Sequence, residues 1–250
     1  MKWLLNFLPR PFLIQLSLIF RPFIKAFYKG NLFTDPIDGS SYRTFLPYGY
    51  DKLRPNALCP GTLSLERHRY LWLYLQRQTT FLEDQLNVLH VAPEQVFYTK
   101  FKQFKHWQYT TTDLHSPLAD VKADICALPF QDNNFDLILC NHVFEHIPDD
   151  ATAMKELYRV LKKGGTLIAQ VPLNETAEVT FEDDSITDPI ERTKIFGQYD
   201  HVRVYGMDYY TRLAQAGFKA EGINFLKTLS LEERDCYALP KEEKIPVAIK

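Results

Sequence analysis

The chain has no paired cysteines. Cys59, Cys126, Cys140 and Cys236 are scattered with no C-x-x-C among them, which argues against a disulfide framework or an intact thiolate zinc site and makes a reducing cytoplasm the default. It also lacks an excess of charge of either sign. The formal net charge is −2, so no global basic field calls for nucleic acid as a partner. Residues 1–30 are apolar and basic, with Lys2, Arg10, Arg21, Lys25 and Lys29 and no acid before Asp35. Pro11 and Pro22 interrupt this run, which disfavours a straight helix of about 20 residues across a bilayer. No small-residue cleavage site follows, which argues against a secretory signal. Two readings of residues 1–30 remain. One is an amphipathic segment on the inner membrane surface, its Lys and Arg toward anionic lipid. The other is a helical arm packing Trp3, Leu4, Phe7, Leu16, Phe20 and Phe27 on the rest of the protein or on a second subunit.

What is present is the balance of a globular protein: 250 residues, 46% apolar and 24% charged, with room for one large α/β domain and an N-terminal appendage. Residues 31–80 form an irregular, turn-rich element (Asp35-Pro36, Asp38-Gly39, Pro47, Pro55, Pro60-Gly61) followed by a helix. Ser64 is its expected N-cap and Leu65 to Gln78 carry apolar residues at helical spacing. Glu66-Arg67-His68-Arg69 reads as a solvated first turn, with a clamp on the substrate side as the alternative.

From residue 86 strands and helices alternate. Asn87–Val91, Trp107–Thr112, Ala123–Ile125, Phe135–Asn141, Thr166–Val171, Phe218–Phe225 and Ile245–Ile249 read as strands. Asp150–Leu161, closed by Lys162-Lys163-Gly164, and Tyr209–Ala216 read as helices. This pattern over residues 81–250 predicts an α/β, doubly wound, mostly parallel sheet with helices on both faces and an N-terminal helical or irregular extension. A ligand then sits outside the carboxyl ends of the strands, just after residues 91, 112, 126 and 141. Asp113 is placed there to accept from ribose hydroxyls, and Asp124 beside the apolar wall of Ile125 and Leu128 to accept from an exocyclic amine. Asp136 starts a strand and reads as structural. Residues 174–205 are a long insertion of the kind that serves as a lid or substrate-binding element.

The stretch from Asp124 to Leu173 carries A-D-I-C-A-L-P-F, then F-D-L-I-L-C-N-H-V-F-E-H-I-P-D-D, then E-L-Y-R-V-L-K-K-G-G-T-L-I-A-Q-V-P. In order and spacing it resembles the type 11 family of S-adenosylmethionine-dependent methyltransferases, of the Rossmann-like class. The resemblance extends more loosely over residues 86–250. It implies a seven-stranded sheet of order 3-2-1-4-5-7-6 with an antiparallel last pair, and methyl transfer from a sulfonium to a nucleophile. The S-adenosylmethionine contacts it implies are His90, Val91, Ala92, Glu94, Asp113, Leu114, Asp124, Ile125, Asn141 and His142. One departure stands out: Ala92-Pro93 occupies the place of the family's Gly-x-Gly loop, which also counts against a nicotinamide dehydrogenase.

Methyl transfer requires alignment, exclusion of water and, where the acceptor carries a proton, a base. Candidates after the fourth strand are His142, Glu145 and His146, with His142 the first choice. His201, in a stretch resembling the family's H-x-R, is the second. The acceptor expected is a small molecule or a glycan- or lipid-linked group at the cytoplasmic membrane face. The alternative is a non-catalytic scaffold on the same fold, motivated by the missing glycines. A nucleic-acid methyltransferase is disfavoured, with no N-P-P-Y-type motif and no basic domain. Upstream, Asp35-Pro36-Ile37-Asp38-Gly39 and Cys59-Pro60-Gly61-Thr62 resemble the knuckles of an N-terminal zinc ribbon. Only Cys59 of the four thiolates is kept, so a degenerate element without metal is expected.

Overall fold

A computed structural model of the chain describes residues 22–49 and 53–250. Most of the basic N-terminal segment read as a membrane-surface or packing element lies outside the described residues. No helix among the described residues is long and apolar enough to cross a membrane. The described residues form two compact units, residues 22–49 and 53–73 with 229–241, and residues 74–228 with 242–250.

The second unit is built on one seven-stranded sheet. Its strands are β1 (Leu86–Val91), β2 (Trp107–Asp113), β3 (Val121–Lys122), β4 (Phe135–Cys140), β5 (Leu161–Ile168), β6 (Lys219–Ile223) and β7 (Ile245–Ile249). Across the sheet they run 3-2-1-4-5-7-6. β7 is antiparallel to both β5 and β6, and the other pairs are parallel. β1 and β4 are buried over most of their length, which is why each reads as a near-continuous apolar run rather than an alternating one. α2 (Gln95–Phe101) follows β1. α3 (Asp150–Val160) connects β4 to β5 and buries Ala153, Met154, Leu157 and Val160, one face at helical spacing. Its N-terminus is capped by Asp149, whose carboxylate accepts from the Thr152 amide at 3.0 Å. Asp136 is structural, as expected: it accepts from the Asn87 amide at 2.9 Å and from Lys162 Nζ at 2.8 Å.

Two strands differ most from the sequence reading. The third strand is Val121–Lys122, and Ala123-Asp124-Ile125 forms the loop beyond it. β5 begins at Leu161, with an irregularity in its pairing to β4 between Phe135 and Leu137. Gly164, at φ 75, lets the chain turn inside this stretch, so the Lys-Lys-Gly-Gly run is part of the strand rather than a separate helix stop.

In the first unit, Lys29–Thr34 pairs with Ser41–Tyr42 and Leu46–Tyr48 with Arg54–Leu58. The two turns that resemble knuckles are joined by hydrogen bonds. Asp35 is fully buried. It accepts from the Thr62 hydroxyl, from Ser64 Oγ at 2.7 Å and from the Ile37 amide at 2.9 Å. Lys25 Nζ meets Asp38 at 2.5 Å. The hydroxyl of Ser64, the expected N-cap of α1 (Glu66–Gln78), is not placed on a helix amide: it donates to Asp35 and accepts from Arg69 Nη1 at 3.2 Å. His68 Nδ1 accepts from the Leu65 amide instead, at 3.0 Å. Nor is the first turn solvated. Arg69 is fully buried and donates to the carbonyls of Ala57, Ser64, Tyr237 and Ala238, so oriented carbonyl dipoles solvate its charge while Asp35 and Glu66 act to balance it.

Candidate active site

Register brings the strand ends of the second unit to one edge. Val91 pairs with Thr112 on one side and Cys140 on the other, and Asp113 pairs with Lys122. Ala92, Asp113, Ala123 and Asn141 thus leave the sheet together. The order reverses between β1 and β4, the position at which open α/β sheets bind their ligands. Two residues leave with left-handed backbones: Ala92 at φ 46 and His142 at φ 54. Each costs about 1–2 kcal/mol in a residue with a Cβ. The Ala92 amide is held by the Thr112 carbonyl at 2.8 Å and the His142 amide by the Gln170 carbonyl at 2.7 Å. The turn that glycine would make freely is therefore made here by alanine.

His90, expected as a cofactor contact, has both ring nitrogens engaged by side chains of the protein. It is fully buried, with Nε2 2.6 Å from Glu94 Oε2 and Nδ1 2.7 Å from the Tyr109 hydroxyl. Burial, and then the charge of Glu94, push the Tyr109 phenol well above its ordinary range. It keeps its proton and donates to Nδ1, while Nε2–H donates to Glu94. Both ring nitrogens are thus committed, and His90 positions Glu94, the N-cap residue of α2.

Asp113 Oδ1 accepts from the amides of His115 and Ser116 at 2.7 and 2.6 Å, which fixes the carboxylate at the strand end. Leu114 beside it is exposed. Asp124 is exposed, with Oδ1 accepting from the Cys126 amide at 2.8 Å, and Ile125 and Leu128 are buried. At the end of β4, Asn141 Oδ1 accepts from the Gln170 amide at 3.2 Å, while its Nδ2 is buried with no partner. His142 Nδ1 lies 3.2 Å from Glu145 Oε1, and its Nε2 is also buried without a partner. Burial acts to raise the Glu145 pKa, but the hydrogen bond and charge of His142, together with His146, outweigh it and leave the group below the ordinary glutamate range.

His201 is brought to Glu145 and His146. Its ring is edge-on to that of His146, with centroids 4.7 Å apart. Its Nδ1 meets the Phe196 carbonyl at 3.1 Å. Burial holds its pKa below the ordinary histidine value, against the pull of Glu145. The insertion that carries it is closed at its base, where the Asn174 amide donates to the Tyr205 carbonyl at 2.8 Å. Within it lie α4 (Pro189–Phe196) and the strand pair Phe181–Glu182 with Arg203–Val204.

Arg203, seen in the sequence only as part of a motif, proves to be the fastener. Its guanidinium donates to the carbonyls of Phe144, Ile147 and Pro148 and to Glu182 Oε2. The Val202 amide adds a bond to the Glu145 carbonyl at 2.9 Å. Asp150, Tyr205 and Arg212 extend this network: the Tyr205 hydroxyl and Arg212 Nη1 both reach Asp150 Oδ2, at 2.7 and 3.1 Å. None of these three was singled out from the sequence. An Asp at a helix start and a Tyr two residues after an Arg give no local signal of the contact.

Residues 77–169 match the family described as a methyltransferase domain. An uncharacterized protein of Methanocaldococcus jannaschii is 49% identical over 49 residues, 20% of this chain and 21% of that protein. A demethylmenaquinone methyltransferase of Staphylococcus saprophyticus is 40% identical over 58 residues, 23% of this chain and 24% of that protein. The chain thus spans less than a quarter of the length of either relative. Among solved structures, the (4+2)-cyclase SpnF shares the fold, with a TM-score of 0.53 at 16% identity over 86% of this chain and 91% of that one. The span that matches, residues 77–169, contains the ends of β1 to β4.

Proposed function

We propose that the chain transfers a methyl group from S-adenosylmethionine to a small-molecule or glycan- or lipid-linked acceptor. The observation that carries this reading is the end of β4, where Asn141 Nδ2 and His142 Nε2 are buried without partners. Orphaned polar atoms of this kind cost about 1–3 kcal/mol each unless a ligand completes them. They lie at the sheet position where such a ligand belongs, in the segment matching a methyltransferase domain.

The residues fit the cofactor. Asp113 would take the ribose hydroxyls, its carboxylate already oriented by two backbone amides. Ile125 would pack the adenine while Asp124 accepts from its amine. Val91, Ala92, Glu94, Asn141 and His142 would hold the remainder, with Leu114 flanking the ribose. When bound, the cofactor supplies a methyl carbon activated by a sulfonium. His142 takes the acceptor's proton at Nε2, and Glu145, ionised and 3.2 Å from Nδ1, orients the ring and stabilises its protonated form. The insertion 174–205 closes over this edge and excludes water. The name of the Staphylococcus relative supports a small-molecule acceptor. A contact of residues 1–30 with the inner membrane surface would bring lipid-linked acceptors within reach.

The test is calorimetric titration with S-adenosylmethionine and its demethylated product on the wild type and on Asp113→Ala. Binding that is lost in the variant supports the reading. No binding by the folded wild type sinks it and leaves the scaffold alternative.

A further inference from the structure

Beside the cofactor edge, and sharing Glu145 with it, the second unit gathers three metal-ligating side chains. Glu145, His146 and His201 each present one ligand atom, and these atoms all lie within 4.8 Å of one another. We propose that they bind one divalent transition-metal ion of the zinc type, which staples the insertion 174–205 to the loop after β4.

Three observations point to a ligand rather than a chance cluster. First, Glu145 is 1% exposed, yet its Oε2 has no hydrogen-bond partner. A carboxylate oxygen in that position is expensive to bury unless a cation completes it. Second, His201 Nδ1 faces a carbonyl oxygen, that of Phe196, at 3.1 Å. A carbonyl only accepts, so Nδ1 carries the proton and Nε2 keeps the lone pair. Third, His146 Nδ1 lies 3.4 Å from Asp200 Oδ2, a carboxylate whose charge favours the same tautomer. An oxygen acceptor behind each imidazole is the arrangement that orients histidines toward a metal.

Two imidazoles and one carboxylate suit zinc or cobalt and leave a fourth position open, whereas calcium and magnesium prefer all-oxygen shells. The charges of Glu145 and Asp200 balance a divalent ion. His146 is partly exposed, with a side chain 28% accessible, and gives the ion a way in. Because His201 belongs to the insertion and Glu145 and His146 to the loop after β4, the ion would couple closure of the insertion to the cofactor edge. The proposal does not depend on the identity of the methyl acceptor.

The experiment uses the full chain, stripped with a chelator and dialysed against micromolar Zn²⁺ or Co²⁺. One equivalent is expected, with Co²⁺ giving the visible absorption of a site of nitrogen and oxygen ligands. Both ions should raise the melting temperature and slow proteolysis within residues 174–205. His146→Ala and His201→Ala should each weaken binding by about 100-fold or more. Substoichiometric uptake by the folded wild type would overturn the proposal. So would uptake unchanged in the double His variant. Should a variant misfold, the cobalt spectrum and metal count of the wild type still decide the matter.

Discussion

His142 Nδ1 sits 3.2 Å from Glu145 Oε1, and the far atom of each group, Nε2 and Oε2, is buried with no partner. On the proposed function the pair would act as a base with its orienting acid, carried by a left-handed residue at the end of β4. With any acceptor that the wild type methylates by way of a proton loss, His142→Ala should lower kcat by about 100-fold or more. The Kd for S-adenosylmethionine should move far less. Steady-state kinetics beside calorimetry separates the two. An unchanged kcat would mean that alignment alone carries the reaction.

Ala92 tests whether the missing glycine matters. At φ 46, Ala92→Gly relieves about 1 kcal/mol of backbone strain but adds a comparable unfolded-state entropy. Stability in urea should therefore change by about 1 kcal/mol or less, with cofactor affinity held or improved. Ala92→Val should destabilise by about 2 kcal/mol or more, because a β-branched residue resists this conformation. Cofactor binding that appears only in Ala92→Gly would favour the scaffold reading.

These outcomes bear on what could be read in advance. The sheet was legible because β1, β4 and β7 are buried runs bounded by polar turns. The edge at which those strand ends meet was legible because its place depends on strand order rather than on any one residue. α2 was not, since Gln-Val-Phe-Tyr-Thr-Lys-Phe is rich in β-branched and aromatic residues, which favour strands. That both nitrogens of His90 are taken by Tyr109 and Glu94 was not legible, because no local pattern marks either partner. The meeting of His201 with Glu145 and His146 depends on Arg203 fastening distant segments through carbonyl oxygens, which carry no sequence signature.

Arg203 is the strongest mechanical prediction. Arg203→Ala would strand the carbonyls of Phe144, Ile147 and Pro148 and release Glu182. The loss should be about 3–5 kcal/mol, and Arg203→Lys, with one head group for several acceptors, should recover only part of it. Hydrogen exchange should show early opening of residues 174–205 and 144–148 together. Protection unchanged in Arg203→Ala would mean that other contacts hold the insertion.

Alkaline pH should loosen the first unit through Cys59. Burial, and then the charge of Asp35, push its thiol up to about 11 from an ordinary value near 9. Below pH 9 both folded and unfolded chains keep this proton and nothing is lost. Between pH 9 and 11 the unfolded chain releases it while the folded one holds it, so stability falls as pH rises. Two pH units correspond to about 2–3 kcal/mol. Other buried thiols contribute their own slopes, so the measurement is a difference. Urea midpoints of wild type and Cys59→Ala are compared at pH 8 and pH 11. The variant should start lower, having lost packing at a fully buried site, and close most of the gap at the higher pH. A gap that stays constant would show that Cys59 ionises as readily in the fold as outside it, and that Asp35 and Thr62 leave room for a thiolate between the two turns.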